Sequence, residues 1–296
     1  MSDFRIGRHI GINQQFVDTS IYAKSIGCTI FQIFLAIPQK ILPKNKQKIM
    51  FVEMGKELVK HNIKMVVHGS YMINLCHNKN SPRYNSSLKS LVQDLKSSAD
   101  IGKNCLGVII HMGKNIPENK LTNQQALNNY VNGLKDALEQ TPENTHIILE
   151  TGASQGYEVA SKLDELAEIY WKLTNKERDR ILFCIDTCHI WATGYDISNE
   201  IGVKRFFKEF DDKIGNEKIS CIHFNDSKNI LGSCVDRHAD LGYGLIKGPG
   251  LRIIARFAKK NGIPLIMETP LDAINVKTNR EITFEEELDK VKLWIG

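Results

Sequence analysis

Eight short apolar runs recur along the chain, each closed by a polar residue and followed by a longer amphipathic stretch. They are FRIGRHI (4–10), TIFQIFL (29–35), KMVVHG (64–69), GVIIHMG (107–113), HIILETG (146–152), ILFCIDT (181–187), ISCIHFND (219–226) and PLIMETP (264–270). Near-continuous apolar runs of this length, bounded by turn residues, predict strands buried on both faces. Between them Leu88, Leu91, Val92, Leu95 and Ala99 share one helical face, and Leu163, Leu166, Ala167 and Tyr170 another. Gly27 and Gly262 stand where helices should stop, and Thr283 with Glu286 has the spacing of a capping box opening a last helix through Leu288, Val291 and Ile295. Strand and helix alternate without a linker or low-complexity tract. Residues 1–296 are therefore expected to form a single α/β domain, a closed (β/α)8 TIM barrel. The competitor is an open doubly wound sheet, which the absence of a GxGxxG loop in RIGRHIGIN disfavours.

The residues that end the runs are His9, Gln32, His68, His111, Glu150, Asp186, His223 and Glu268. From His68 onward they recur every 36 to 45 residues, about one strand-helix unit. Residues repeating at that interval occupy the same end of successive parallel strands, the C-terminal mouth where barrel active sites are built. Singly, such a histidine is an ordinary hydrogen-bonded core or turn residue and such a glutamate an ordinary helix cap. Together, three imidazoles and three carboxylates in one partly desolvated mouth are costly unless cations bind among them.

Three more residues extend the set. His189 follows Asp186 by three positions in CIDTCHIWATGYD and is expected to turn back over the mouth at the start of a loop. In VDRHADLGYG, Asp236 and His238 lie on the same side if the segment is locally extended. The candidate metal ligands are then His68, His111, Glu150, Asp186, His189, His223, Asp236, His238 and Glu268. A catalytic zinc takes about three protein ligands, so nine side chains with one bridging carboxylate suit three ions. Three divalent cations against four carboxylates leave a positive site, suited to a phosphodiester anion.

Composition narrows the picture without changing it. With 42% hydrophobic and 25% charged residues the chain has the proportions of a globular protein. No run reaches the ~18 to 20 apolar residues of a membrane span, and MSDFRIGRHI has no secretory h-region, so a membrane or secreted protein is not expected. Seven cysteines without a CxxC pair, most inside apolar runs, fit free thiols of a reducing compartment. The net charge of +5 leans toward an anionic partner. Lys, Asn and Ile are abundant, a usage that fits an AT-rich genome such as that of a low-GC microbe or a large DNA virus.

The segments HGSYMINL (68–75), ETGASQG (150–156), CIDTCHIWATGYD (184–196), HFNDSK (223–228), VDRHADLGYG (235–244) and IPLIMET (263–269) resemble the motifs of endonuclease IV-type apurinic/apyrimidinic (AP) endonucleases, over nearly the whole chain. The resemblance implies a zinc-dependent barrel with the metal site at the C-terminal mouth. It would act, expected as a monomer, on duplex DNA containing abasic sites. It implies one Zn²⁺ on His68, His111 and Glu150, a second on Glu150, Asp186, His223 and Glu268, and a third on His189, Asp236 and His238. Glu150 and Glu268 are the implied catalytic residues. The implied reaction is hydrolysis 5′ to the abasic site, leaving a 3′-hydroxyl and a 5′-deoxyribose phosphate.

Tyr71 and Met72 match a loop that penetrates the base stack at the gap left by the missing base. Gln39 and Lys40 fall where the family usually has a polar run with a penetrating arginine, but FLAIPQKILPK departs from it. Arg237 is a further expected DNA contact. LGYGLIKGPG also departs from the family's LGEGxIG. His61, His77 and His146 are expected in surface or structural roles, His9 in a supporting or phosphate contact, and Cys184 and Cys188 in packing.

Two other functions are compatible with parts of this pattern. A xylose isomerase-like sugar isomerase or epimerase would need one divalent metal on Glu150, Asp186, His223 and Glu268. The other five ligand-type residues are surplus to it. A DNA-binding scaffold without activity would be expected to have lost ligands, and none of the nine is missing.

Overall fold

The computed structural model describes residues 4–11, 16–35, 44–276 and 278–296. Among them eight parallel strands close into a barrel: β1 (Ile6–His9), β2 (Ile30–Phe34), β3 (Lys64–His68), β4 (Cys105–Ile110), β5 (Ile147–Glu150), β6 (Ile181–Asp186), β7 (Ile219–His223) and β8 (Leu265–Met267). Each strand pairs with its neighbours in sequence, and β8 returns to β1. All eight apolar runs are strands, and the TIM barrel expected from them is the observed fold. Helices cross between strands, the longest being Pro82–Ile101, which buries Leu91, Val92 and Leu95 on one side as the periodicity predicts. The capping box at Thr283 and Glu286 opens the helix Phe284–Ile295, and Gly262 ends Lys247–Asn261 in the left-handed conformation.

The barrel interior is layered with a period of two residues. Ile30, Val66, Ile109, Ile148, Cys184, Cys221 and Ile266 form a fully buried cluster, with Leu106 and Leu182 packed against it. Each of the seven lies two positions before Gln32, His68, His111, Glu150, Asp186, His223 or Glu268. Side chains two apart on a strand point the same way, so these strands present first an apolar floor and then a polar ring at the mouth. The two cysteines belong to the floor by register, Cys184 opposite Cys221. Burying each aliphatic side chain of the floor contributes roughly 1.5 to 3 kcal/mol.

The eighth strand reaches the same layer through a glycine. A Cβ on Gly7 would lie 1.6 Å from the Ile30 carbonyl oxygen, so β1 approaches β2 with no room for a side chain. Gly7→Ala is therefore expected to destabilise the protein by roughly 1 to 3 kcal/mol or more, the usual cost of overpacking. Urea unfolding checks this, with Gly11→Ala, where nothing stands within 4 Å, as the comparison. Equal midpoints for the two variants would refute the close approach.

Candidate metal centre

The nine predicted ligands converge at the C-terminal mouth. His68, Glu150, Asp186 and His223 are the last residues of their strands, and His111 and Glu268 follow β4 and β8 directly. His189 lies on the helix Thr187–Ala192 rather than in a loop, a correction with a local cause. The Asp186 carboxylate caps that helix, accepting from His189 N–H at 2.9 Å, which is the short-range bond an N-cap aspartate makes. Asp236 and His238 arrive from the segment after β7, where Asp226–Ser227 pairs antiparallel with His238–Ala239.

Three groups have ligand atoms within 4.8 Å of one another: His68, His111 and Glu150; Glu150, Asp186, His223 and Glu268; and His189, Asp236 and His238. Glu150 belongs to two of them. Its Oε2 lies 3.5 Å from His68 Nε2 and 3.4 Å from His111 Nδ1, while its Oε1 is 2.8 Å from His223 Nδ1. Asp236 stands 3.2 Å from both His189 Nε2 and His238 Nε2. Asp186 with Cys188 and His238 makes a further geometric group, but Asp186 and His238 already belong to the others.

The outer nitrogens of the rings explain why the inner ones face the centre. His68 Nδ1–H donates to the Gly69 carbonyl at 2.8 Å, His189 Nδ1–H to the Thr151 carbonyl at 2.8 Å and His238 Nδ1–H to the Glu268 carbonyl at 3.2 Å. A backbone carbonyl only accepts, so each Nδ1 carries a hydrogen and each Nε2 is left for the mouth. His111 Nε2, Glu150 Oε2, His189 Nε2 and His238 Nε2 are buried without a properly aligned hydrogen-bond partner. Unsatisfied buried polar atoms are rare and costly. Four in one cluster is the pattern of atoms that ligate, and the mixed imidazole-carboxylate donor set suits zinc.

Charge crowding shifts the protonation of the ion-free site. Burial alone would lower His223, but Glu268 and Glu150 outweigh it and raise the ring to about 10. His238 is likewise raised to about 9 by Asp186 and Asp236 against the effect of burial. Glu150 and Glu268 are held below the usual carboxylate range by the rings around them, despite their burial. His9 and His111 go the other way, lowered to about 4 chiefly by burial.

Supporting residues that the sequence did not single out complete the site. Thr151 Oγ1 accepts from Asp186 N–H at 2.9 Å, and Gln155 Oε1 from Asp236 N–H at 2.9 Å. Asn225 donates through Nδ2 to Asp186 at 2.8 Å and accepts at Oδ1 from Glu268 N–H at 2.8 Å. Asp226 accepts from the N–H groups of Ser227, Gly242, Gly244 and Ile246, pinning the loop that follows His238. For Thr151 and Asn225, a position one or two residues beyond a ligand was the available signal.

Of the other predicted residues, Tyr71 and Met72 project from the rim, 69% and 84% exposed, and the Tyr71 ring stands 5.4 Å from His68 and 5.1 Å from His111. Arg237 is exposed, with one N–H on the Asp236 carbonyl. Gln39 and Lys40 lie outside the described residues. His9 touches the site through Gln32, whereas His61 pairs with Glu57 and His77 is buried against Asn119. Cys184 and Cys188 are buried, as expected for packing. Among the described residues no helix is long and apolar enough to cross a membrane.

Fold and site together define a barrel enzyme with a candidate metal centre at the strand ends, and residues 21–293 match the family described as Xylose isomerase-like TIM barrel. A protein of Acanthamoeba polyphaga mimivirus named "Putative endonuclease 4" is 65% identical over 98% of this chain and 93% of its own. The crystal structure of endonuclease IV from Thermus thermophilus superposes with a TM-score of 0.75 at 26% identity, covering 98% of this chain and 97% of that one. A D-tagatose 3-epimerase-like protein shares the fold alone, at 13% identity and a TM-score of 0.70 over 98% and 97%. The chain belongs to the endonuclease 4 family of nucleases.

The raised imidazoles carry a measurable consequence. Their folded values lie above the unfolded 6.5, so in the ion-free chain their protons stabilise the fold fully below about pH 6.5, an effect lost as pH rises through 9 to 10. At pH 7.5 a cation must displace them. Zinc loading at that pH is expected to release at least two protons per chain, from His223 and His238, measured by calorimetry in buffers of different ionisation heat. No net release would refute the raised values.

Proposed function

We propose that this protein is a zinc-dependent AP endonuclease of base excision repair, acting as a monomer on duplex DNA at abasic sites. It hydrolyses the phosphodiester on the 5′ side and leaves a 3′-hydroxyl and a 5′-deoxyribose phosphate. The observation that carries the reading is the trio of ligand groups, two of them sharing Glu150, with four buried donor atoms among them that find no aligned hydrogen bond. A single-metal sugar isomerase has no use for His189, Asp236 and His238, and the likeness to epimerases extends to the fold alone.

His68, His111 and Glu150 would hold one zinc, Glu150, Asp186, His223 and Glu268 a second, and His189, Asp236 and His238 a third. Zinc at these positions supplies Lewis acidity toward a phosphodiester and makes water acidic enough to serve as nucleophile near neutral pH. Glu150 and Glu268 keep the negative charge of the centre at its buried side. His111 and Asp236, the most exposed ligands, form the side that a phosphate meets. Tyr71 and Met72 fill the gap in the base stack, Arg237 pairs with backbone phosphate, and Gln39 and Lys40, where the sequence departs from the family, are further DNA contacts.

Metal content per chain tests the reading. Near three zinc ions, with incision of abasic duplex lost on chelation and restored by Zn²⁺, is the expected result, and one Mn²⁺, Mg²⁺ or Co²⁺ per chain would favour the isomerase. Glu150→Gln should lower single-turnover incision by about 10³ or more, the scale of several kcal/mol of metal stabilisation, with little change in DNA binding at matched salt. Near-native incision would remove Glu150 from its bridging role. Tyr71→Ala and Met72→Ala should each cost roughly 1 to 3 kcal/mol in abasic-duplex incision, the scale of a base-stacking contact, at unchanged zinc content. Lost zinc in either variant would show that the pair merely supports the loop of His68.

A further inference from the structure

Four imidazoles of the centre hold an outer nitrogen in a hydrogen bond, but they do so in two ways. His68, His189 and His238 each give Nδ1–H to a backbone carbonyl. His223 is turned over: its Nδ1 faces Glu150 at 2.8 Å, Glu268 at 3.3 Å and Asp186 at 3.8 Å, and its Nε2 faces the side-chain oxygen of Gln32 at 2.8 Å. Gln32 stands on β2 and is fully buried. It reaches past β1 to the ends of β7 and β8, two strands away and one strand away from β1 in the barrel order.

The orientation of the Gln32 amide follows from its partners. Glu268 Oε1 lies 2.6 Å from Gln32 Nε2, and His9 Nδ1 lies 3.0 Å from it. A carboxylate only accepts, so the nitrogen end must face Glu268 and the oxygen end His223. An amide oxygen cannot donate, and His223 must therefore carry a hydrogen on Nε2, which leaves Nδ1 as the nitrogen able to take a cation among Glu150, Asp186 and Glu268. The same amide fixes one Glu268 oxygen and leaves Oε2 on the His223 side. A neutral amide does both without adding charge. A carboxylate at this position would repel Glu268, and an aliphatic side chain would leave both partners free to turn.

We propose that Gln32 is a positioning residue of the second metal group, keeping the Nε2 hydrogen of His223 turned outward so that Nδ1 is the nitrogen that meets a cation, and holding Glu268, so that Glu150, Asp186, His223 and Glu268 are oriented for the ion. The proposal rests on the metal-centre reading above. It places the specificity of that group on a strand-end residue that ligates nothing itself.

The test is Gln32→Met, which keeps length and volume but removes all three hydrogen bonds. Zinc content and affinity are measured by competition with a chromophoric chelator, alongside thermal unfolding and the proton spectrum of the zinc-loaded protein. The expected result is a 10- to 100-fold weaker affinity for one ion, the scale of losing an outer-shell partner. The other two ions stay bound, and the slowly exchanging Nε2–H resonance of His223 disappears. Incision should fall at limiting zinc and recover in excess. If Gln32→Met does not fold, Gln32→Ala carries the same comparison. A folded variant with every ion within twofold of wild type, or with all three weakened equally alongside a lower Tm, overturns the proposal. A wild-type chain holding one ion at this group refutes the three-ion reading and leaves the Gln32 comparison intact. A wild-type chain holding none ends both.

Discussion

Four carboxylates and five imidazoles crowd one end of the barrel, and this concentration of titratable groups is the constraint to which the surrounding structure answers. Removing such groups from water costs several kcal/mol each unless they are paired and hydrogen-bonded. Here they pair with one another and lean outward on backbone carbonyls, Asn225 and Gln32, while Thr151 and Gln155 hold the backbone N–H groups of Asp186 and Asp236. The arrangement is still incomplete as protein alone, because four inward atoms find no aligned partner. Among the described residues, the other buried side-chain atoms without a hydrogen bond, on Asn115, Asn119, Asn216 and Ser233, are not gathered in one cluster of ligand-type groups as these four are.

Asp186 shows how closely the three groups are built into one another. One of its oxygens caps the helix Thr187–Ala192 and thereby places His189, while the other accepts from Asn225 and lies 3.5 Å from His238. The residue expected to ligate one ion thus sets the position of a ligand for another. Asn225 in turn ties Asp186 to the backbone of Glu268, so the ends of β6, β7 and β8 are linked through one amide.

The barrel and its ring of ligands were legible because both rest on periodicity. Alternation within strands puts the apolar floor and the polar ring in register, and recurrence once per strand-helix unit puts His68 through Glu268 at one end. Helix stops at Gly262 and the capping box at Thr283 were legible for the same local reason. What did not show in the sequence depends on contacts between distant segments. Gln32 belonged to the strand-end series, but nothing in TIFQIFL says that its amide meets side chains 191 and 236 positions away. The loop expected around His189 is a helix because an aspartate that reads as a ligand also serves as a cap. Tyr71 and Met72 are exposed at the rim as a wedge requires, yet exposure describes their reach and not their partner.

The apolar floor closes the centre from below. Ile30, Val66, Ile109, Ile148, Cys184, Cys221 and Ile266 close the barrel beneath the ligands without a polar side chain among them save two thiols. Ions, water, substrate and product then reach it from the mouth side. DNA seated across that opening would cover whatever ions lie beneath it and slow their exchange with the solvent. Chelators should accordingly act on the free protein far faster than on its DNA-bound form, with the dwell time of the nucleic acid setting the rate at which the centre can be stripped.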